Sequence, residues 1–209
     1  LRTTYAITAI PLAADLAEPG APARLHTEIG SRGVVVSYLV NNAGASGPDL
    51  LEERDWPTLA AYLELMMISV AHMVHLFAPA MVQQRFGRII NVASVAGRIS
   101  RADDLNYGPS KAYLIALSEN LDLSLKREGV RVSALCPGFT HTEFHDVAGM
   151  QEQKAVLPDF IWYDADVVVR EGLRAVERGR DVMVSGRLYR VLDPFFQSLW
   201  IRRLIKWFQ

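Results

Sequence analysis

Hydrophobic residues along this chain come in two textures. Short runs rich in Val, Ile and Leu, without strict alternation, lie at Ala6–Leu12, Val34–Val40, Arg88–Val92, Arg131–Cys136 and Asp181–Val184. That is how strands buried on both faces of a parallel sheet read. Between them the apolar positions fall at helical spacing. Gly20-Ala21-Pro22 opens one such stretch, with proline in its first turn. A long one runs from Thr58 to Gln84, ahead of Gly87. Another, from Tyr107 to Arg127, is closed by Gly129, and a fourth spans Asp164 to Arg178 with Asp164 as N-cap and Gly179 after its end. Strand and helix in alternation predict a single α/β domain built on a doubly wound parallel sheet.

Composition narrows the picture without deciding it. The 209 residues are half hydrophobic, enough for one domain with a full core. A net charge of −1 gives no reason to expect a nucleic-acid partner. The single cysteine, Cys136, excludes an internal disulfide framework and reads as a buried strand residue. The opening "LRTTYAITAIPLAADL" has no basic segment followed by a long apolar run, and no stretch is expected to reach the roughly 18 uncharged apolar residues of a spanning helix. The default expectation is a soluble cytoplasmic protein. The chain begins with Leu1 rather than Met and reaches a strand signal at once, so further residues are expected ahead of it.

In open α/β sheets ligands bind at the carboxyl ends of the strands. Here the second run ends in "NNAG" (Asn41 to Gly44), the third in "NVASVAG" with Ser94 at its tip, and the fourth in "CPGFTHTEF" (Cys136 to Phe144). Tyr107 and Lys111, in "YGPSK", start the helix after the third run. Tyr-x-x-x-Lys alone means little, since about 0.4 matches arise by chance in a chain of this length. Taken singly, Ser94 reads as a serine capping a turn, "NNAG" as a turn, Asp15 as a helix cap, and Thr140 and Thr142 as loop hydroxyls. "HTEFH" (His141 to His145) has metal-ligand residue types but no further ligand nearby, and His72 and His75 sit at i, i+3 on a long helix.

Taken together and in order, "NNAG", Ser94, "YGPSK" and "PGFTHT" resemble the short-chain dehydrogenase/reductase family, as do "GRIINVASVAG" and "SKAYLIALSENL". The resemblance runs from about Ala6 to about Gly186. It implies a Rossmann-like fold and hydride transfer between NAD or NADP and a carbonyl or alcohol. By the match, Tyr107 is the general acid or base, and Lys111 at i+4 on the same helix face favours the phenolate and holds the nicotinamide ribose. Ser94 would hydrogen-bond the substrate oxygen. Asn41, Ala43 and Gly44 would floor the cofactor, while Pro137, Gly138, Thr140 and Thr142 would line the nicotinamide. Asp15 matches a residue near the adenine. The loop Gly97–Asn106 and the segment Phe144–Trp162 would line a pocket for a small, hydrophobic substrate, and the family's habit of pairing long helices implies a homo-oligomer. The extended, sugar-nucleotide branch shares Tyr-x-x-x-Lys but fits "NNAG" and the short C-terminal region less well.

Two departures stand out. The family opens with a strand, a glycine-rich turn and a helix that receives the cofactor pyrophosphate. No Gly-x-x-x-Gly-x-Gly occurs in this sequence, so its first two strands and that turn are expected to be missing, and this chain alone could be a non-catalytic fragment. The residues that choose between NAD and NADP belong to that segment. The second departure is a point change. The family's long helix supplies an Asn that completes a proton relay with Lys, and counting back from Ser94 without a gap places Met66 there. Ser69 takes that place only if a gap is allowed. A thioether accepts hydrogen bonds weakly and donates none.

From Arg187 to Gln209 the text becomes "RLYRVLDPFFQSLWIRRLIKWFQ", with five basic residues against Asp193, a net +4. Phe196, Trp200, Leu204 and Trp207 or Phe208 recur at helical spacing. A basic amphipathic helix is predicted after Pro194, packed over the substrate pocket, on a partner subunit or on a membrane surface.

The Met66 departure carries a test. If the thioether slows proton resupply rather than binding, Met66→Asn raises steady-state turnover at unchanged cofactor affinity. A rate equal to that of the unaltered protein would count against the broken relay.

Overall fold

Four strands line up in parallel, each paired with its neighbour over part or all of its length. In the computed structural model, which describes residues 2–102, 104–142 and 158–198, β1 (Tyr38–Asn41) pairs with β2 (Gly87–Val92), β2 with β3 (Val130–Cys136), and β3 with β6 (Val182–Val184). The register sets Asn41 beside Asn91, and Val92 beside Leu135. Two-residue strands, β4 (Thr140–His141) and β5 (Tyr163–Asp164), form a separate parallel pair that the sequence did not announce.

Helices cover both faces, as a doubly wound sheet requires. A four-residue helix, α1 (Arg2–Tyr5), and α2 (Ala21–Ser31) precede the sheet. α3 (Trp56–Leu63) passes through one π-helical turn (Glu64–Ile68) into α4 (Ser69–Gln83). α5 (Tyr107–Leu125) follows β2, α6 (Ala165–Glu177) precedes β6, and α7 (Arg187–Gln197) ends the described chain. One face of the sheet packs on α4 and α5: Leu39, Ile89 and Val132 meet Val74, Phe77 and Met81, and Ala134 and Cys136 meet Val70, Leu114 and Ile115. The other face, with Ile90, Leu135 and Met183, packs on Val168, Ala175 and Val176 of α6.

The loop into β3 is closed by Gly129, whose φ of 81° and whose distance of 2.0 Å from a Cβ position to the Arg85 carbonyl oxygen admit only glycine. Beside it, Asp122 on α5 is 4% exposed and satisfied by three donors. These are Arg131 Nε at 2.8 Å, Arg131 Nη2 at 2.9 Å and the Val132 amide at 3.0 Å. A buried carboxylate held by a fork and a main-chain N–H locks α5 to β3.

Several expectations are corrected. Ala6–Leu12 forms no strand: the segment is irregular, and Ile7 and Ile10 are about half exposed. A strand needs a ladder partner, and among the described residues none lies beside it. Val34–Val40 shortens to Tyr38–Asn41 because β2 offers rungs only from Gly87 onward, so Val34 and Val35 stay exposed in the preceding loop. Asp164 sits at the N-cap of α6 but its side chain makes no capping bond, whereas Asp55 caps α3 through the Thr58 amide at 3.1 Å. The last described helix, Arg187–Gln197, starts before Pro194 and continues through that proline, while most of the amphipathic segment expected after Pro194 lies outside the described residues. The stretch 65–82 does lack charged residues, and the helix Trp56–Gln83 is long and apolar enough to cross a membrane by length and composition. In this fold its stripe of Val70, Val74, Phe77 and Met81 is buried on the sheet instead. Glu143 to His145, most of Phe144–Trp162 and the tail beyond Ser198 lie outside the described residues.

Candidate active site

The carboxyl rim of the sheet gathers most of the residues singled out above. Ser94, two residues beyond β2, opens a 3-10 turn (Val95–Arg98), and its hydroxyl accepts the Ala96 amide at 3.1 Å. The Val95 amide donates to the Pro137 carbonyl at 2.9 Å, tying this turn to the segment after β3. Gly97 lets the turn lie directly on α5: a Cβ there would stand 2.6 Å from the Ala112 nitrogen and the Lys111 carbonyl carbon. Close contact between turn and helix is therefore built into the backbone.

Tyr107 and Lys111 enter from the first turns of α5. The Gly108 amide, an orphan donor at the helix start, is taken by Asp104 Oδ1 at 2.8 Å. Burial pushes the Tyr107 phenol above its ordinary value, a hydrogen bond with the Ser94 hydroxyl pulls it back, and the Asp104 charge raises it further. Lys111 is 5% exposed, and its Nζ lies 5.6 Å from the Tyr107 ring centroid and donates to the Val92 carbonyl at 2.9 Å. Burial lowers its pKa to about 8.

Gly44 and Met66 complete this corner. A Cβ on Gly44 would sit 3.3 Å from Met66 Sδ and 3.5 Å from Lys111 Nζ. Met66, 1% exposed in the π-helical turn, accepts the Ala45 amide on its sulfur at 3.4 Å. The ungapped count therefore picked a residue that reaches the lysine's surroundings. Ser69 spends its hydroxyl on the Leu65 carbonyl within its own helix.

Other positions separate. Asn41 donates to Asn91 Oδ1 at 2.8 Å, Asn91 to Ser118 Oγ at 2.9 Å, and Ser118 to the Leu114 carbonyl at 2.7 Å. This polar thread pins the end of β1 to α5, and sequence reading missed Asn91 and Ser118. A fully buried amide inside the apolar "RIINV" was the available signal. Ala43 and Gly44 are exposed. Gly138 packs under the Tyr189 ring, Thr140 Oγ1 donates to the Gly138 carbonyl at 3.0 Å, and Thr142 is exposed. Asp15 is exposed and closes a local turn by accepting the Ala17 amide at 2.9 Å. Cys136 is buried, which pushes its thiol up to about 12. His72 and His75 face each other at 6.5 Å, and among the described residues no group of three metal-ligating side chains occurs.

The residues present fit the nicotinamide-ribose half of a dinucleotide. Gly44 leaves its backbone bare, and Lys111 is an ammonium with three donors that spends one on Val92. In physical terms the cluster offers a phenol held neutral, a hydroxyl beside it and a buried cation behind it.

Comparison with known proteins gives the family. The family model for short chain dehydrogenase matches residues 1–153. A 3-oxoacyl-acyl-carrier-protein reductase of Haemophilus influenzae is 32% identical over 123 residues, which cover 57% of this chain and 49% of that protein. This chain thus spans about half the length of that curated relative. The corresponding reductase of Staphylococcus aureus is 25% identical over 195 residues, covering 88% of this chain and 78% of the relative. Among solved structures, a short-chain dehydrogenase from Sphingobium yanoikuyae in complex with NADPH superposes with a TM-score of 0.77 at 26% identity, covering 95% of this chain and 78% of that one.

Burying Lys111 has a consequence that needs no ligand. Its folded-state pKa, about 8, lies below its ordinary value of 10.5, so the unfolded chain binds more protons in between and stability rises with pH across that window. Lys111→Met is expected to melt higher than the unaltered protein at pH 7, by up to about 3 kcal/mol of stability. The gap should close between pH 8 and 10.5. Calorimetry across that range checks it, and a gap that does not shrink with pH would refute the buried-charge account.

Proposed function

This chain belongs to the short-chain dehydrogenase family, and from that premise we propose that it transfers a hydride between NAD or NADP and a carbonyl or alcohol. The observation that carries the proposal is the buried Lys111 ammonium behind the Tyr107 ring, beneath the bare Gly44 backbone, with the Ser94 turn seated on the same helix through Gly97. The bound nicotinamide supplies or takes the hydride. The chain's own residues handle the oxygen. Ser94 donates a hydrogen bond to the substrate oxygen and holds it within reach of Tyr107. The phenol, kept protonated near neutrality, gives its proton to that oxygen as the carbonyl is reduced, and in the reverse direction the phenolate takes the alcohol proton. Lys111, charged below pH 8, offsets the negative charge left on the tyrosine. It also offers its remaining donors to the nicotinamide ribose. Asn41, Ala43 and Gly44 form the floor, and Pro137, Gly138, Thr140 and Thr142 form the wall.

The aromatic residues near the expected wall support an apolar substrate. In and beside the segment 137–142 lie Phe139, Trp162 and Tyr189, with Trp162 stacked on His141 at 5.3 Å and tilted on Phe139 at 5.1 Å. Aromatic walls favour an apolar carbonyl or alcohol over a sugar.

A second reading, favoured by one observation, concerns the C-terminal region. Val191 and Phe195 of α7 are 76% and 56% exposed, and basic residues follow them in the sequence. Apolar and cationic groups on one segment match an anionic membrane surface, where the chain would sit peripherally.

For the principal reading, Tyr107→Phe should cut hydride transfer at least a hundredfold and Ser94→Ala by a similar factor, with NAD(P)H affinity preserved in fluorescence titration. Tyr107→Phe with undiminished turnover of apolar ketones would end that reading. For the second, co-sedimentation with phosphatidylserine vesicles should occur at low salt and fade as salt rises, and Val191→Asp with Phe195→Asp should abolish it. Absence of sedimentation at low salt would end the membrane reading alone.

A further inference from the structure

Beyond the family's Ser, Tyr and Lys, the strongest feature near the site is an ion pair that no motif marks. Arg98, the last residue of the 3-10 turn that Ser94 opens, faces Asp193 of α7 as a fork: Nη2 meets Oδ2 at 2.7 Å and Nε meets Oδ1. Both side chains are mostly buried, at 18% and 17% exposed. Gln197 of the same helix donates to the Arg98 carbonyl at 2.8 Å. The turn is held from behind as well, by Gly97 lying on the backbone at Lys111 and by the Val95–Pro137 hydrogen bond.

The other end of α7 grips the opposite wall. The Tyr189 hydroxyl accepts the Phe139 amide at 3.3 Å and donates to the Ile161 carbonyl at 3.0 Å, with its ring over Gly138. The helix is itself anchored at its start, where Glu171 accepts the Gly186 amide at 2.9 Å, the Ser185 hydroxyl at 2.8 Å and Arg190 Nη2 at 2.6 Å. One helix therefore braces the turn that carries Ser94 and the wall beyond Pro137.

We propose that Arg98 and Asp193 are positioning residues: their fork presses the Ser94 turn onto α5 and so sets the Ser94 hydroxyl against the Tyr107 phenol. A partly buried, two-pronged pair suits this task better than a single contact, because it fixes orientation as well as distance. The pair touches no reacting atom, and its effect passes through the turn. The inference rests on the proposed function for its kinetic consequence but not for its structural one.

The test uses the full chain carrying Arg98→Met, Asp193→Asn, Arg98→Lys, or Met and Asn together. In the cofactor-free protein, amide exchange at Val95, Ala96 and Gly97 should quicken about tenfold in each single variant, with β2 and β3 amides unchanged. The double variant should be no worse than either single, since one interaction is lost once, and Arg98→Lys should fall between. Kinetically, kcat should drop about tenfold at unchanged cofactor KM. The pH profile of alcohol oxidation should move to higher pH, because Tyr107 loses the Ser94 hydrogen bond that lowers its pKa. Unchanged exchange at 95–97 in both single variants overturns the proposal, as does exchange that quickens equally throughout the sheet. An unaltered protein that shows no hydride transfer would sink the reductase reading, while the exchange data still decide the pair.

Discussion

An ammonium placed 5% exposed at the rim of a parallel sheet must be compensated, and among the described residues no carboxylate pairs with Lys111. Its compensation is one carbonyl, that of Val92, and the face of an aromatic ring. Much of the surrounding architecture can be read as what keeps that costly charge in place. Gly44 brings one backbone close to it, Gly97 seats the Ser94 turn on the Lys111 main chain, and Met66 sits beside Gly44 with a sulfur rather than a charge. A charge left this weakly paired is available to whatever develops negative charge nearby, and the neighbouring phenol is such a group.

Rigidity around the site comes from polar threads through an otherwise apolar core. Asn41, Asn91 and Ser118 bind β1, β2 and α5 in one chain of hydrogen bonds. Asp122 with Arg131 does the same for α5 and β3 at the opposite end of the helix. Both threads are fully partnered, which is the condition for buried polar groups to specify a structure rather than weaken it. α7 adds a third brace, from outside the sheet, through Arg98 and Asp193.

Most of the candidate site was legible because the chemistry uses residue types that apolar cores otherwise avoid. Ser94, Tyr107 and Lys111 stood out at strand and helix ends, and Met66 stood out by position alone. Asp15 closes a local turn on the Ala17 amide, and nothing local tells that use from a ligand contact. Arg98 and Asp193 stayed invisible because they are 95 residues apart and look like ordinary surface charges until the fold joins them.

What the sequence by itself determined was the set of elements: apolar runs of strand length, helical periodicities between them, and glycines at their stops. Those are local properties, fixed by steric preference and by the period of side-chain burial. Which runs became strands was decided only in three dimensions. "AITAIPL" has the composition of a strand and forms none, and "VVVSYLV" pairs over just its last residues, because a strand exists only where a neighbour supplies hydrogen-bond partners. The same holds for the site. The sequence named a phenol, a hydroxyl and an amine, but only the packing of α5 against the Ser94 turn, through Gly97, set the turn on the helix that carries the other two.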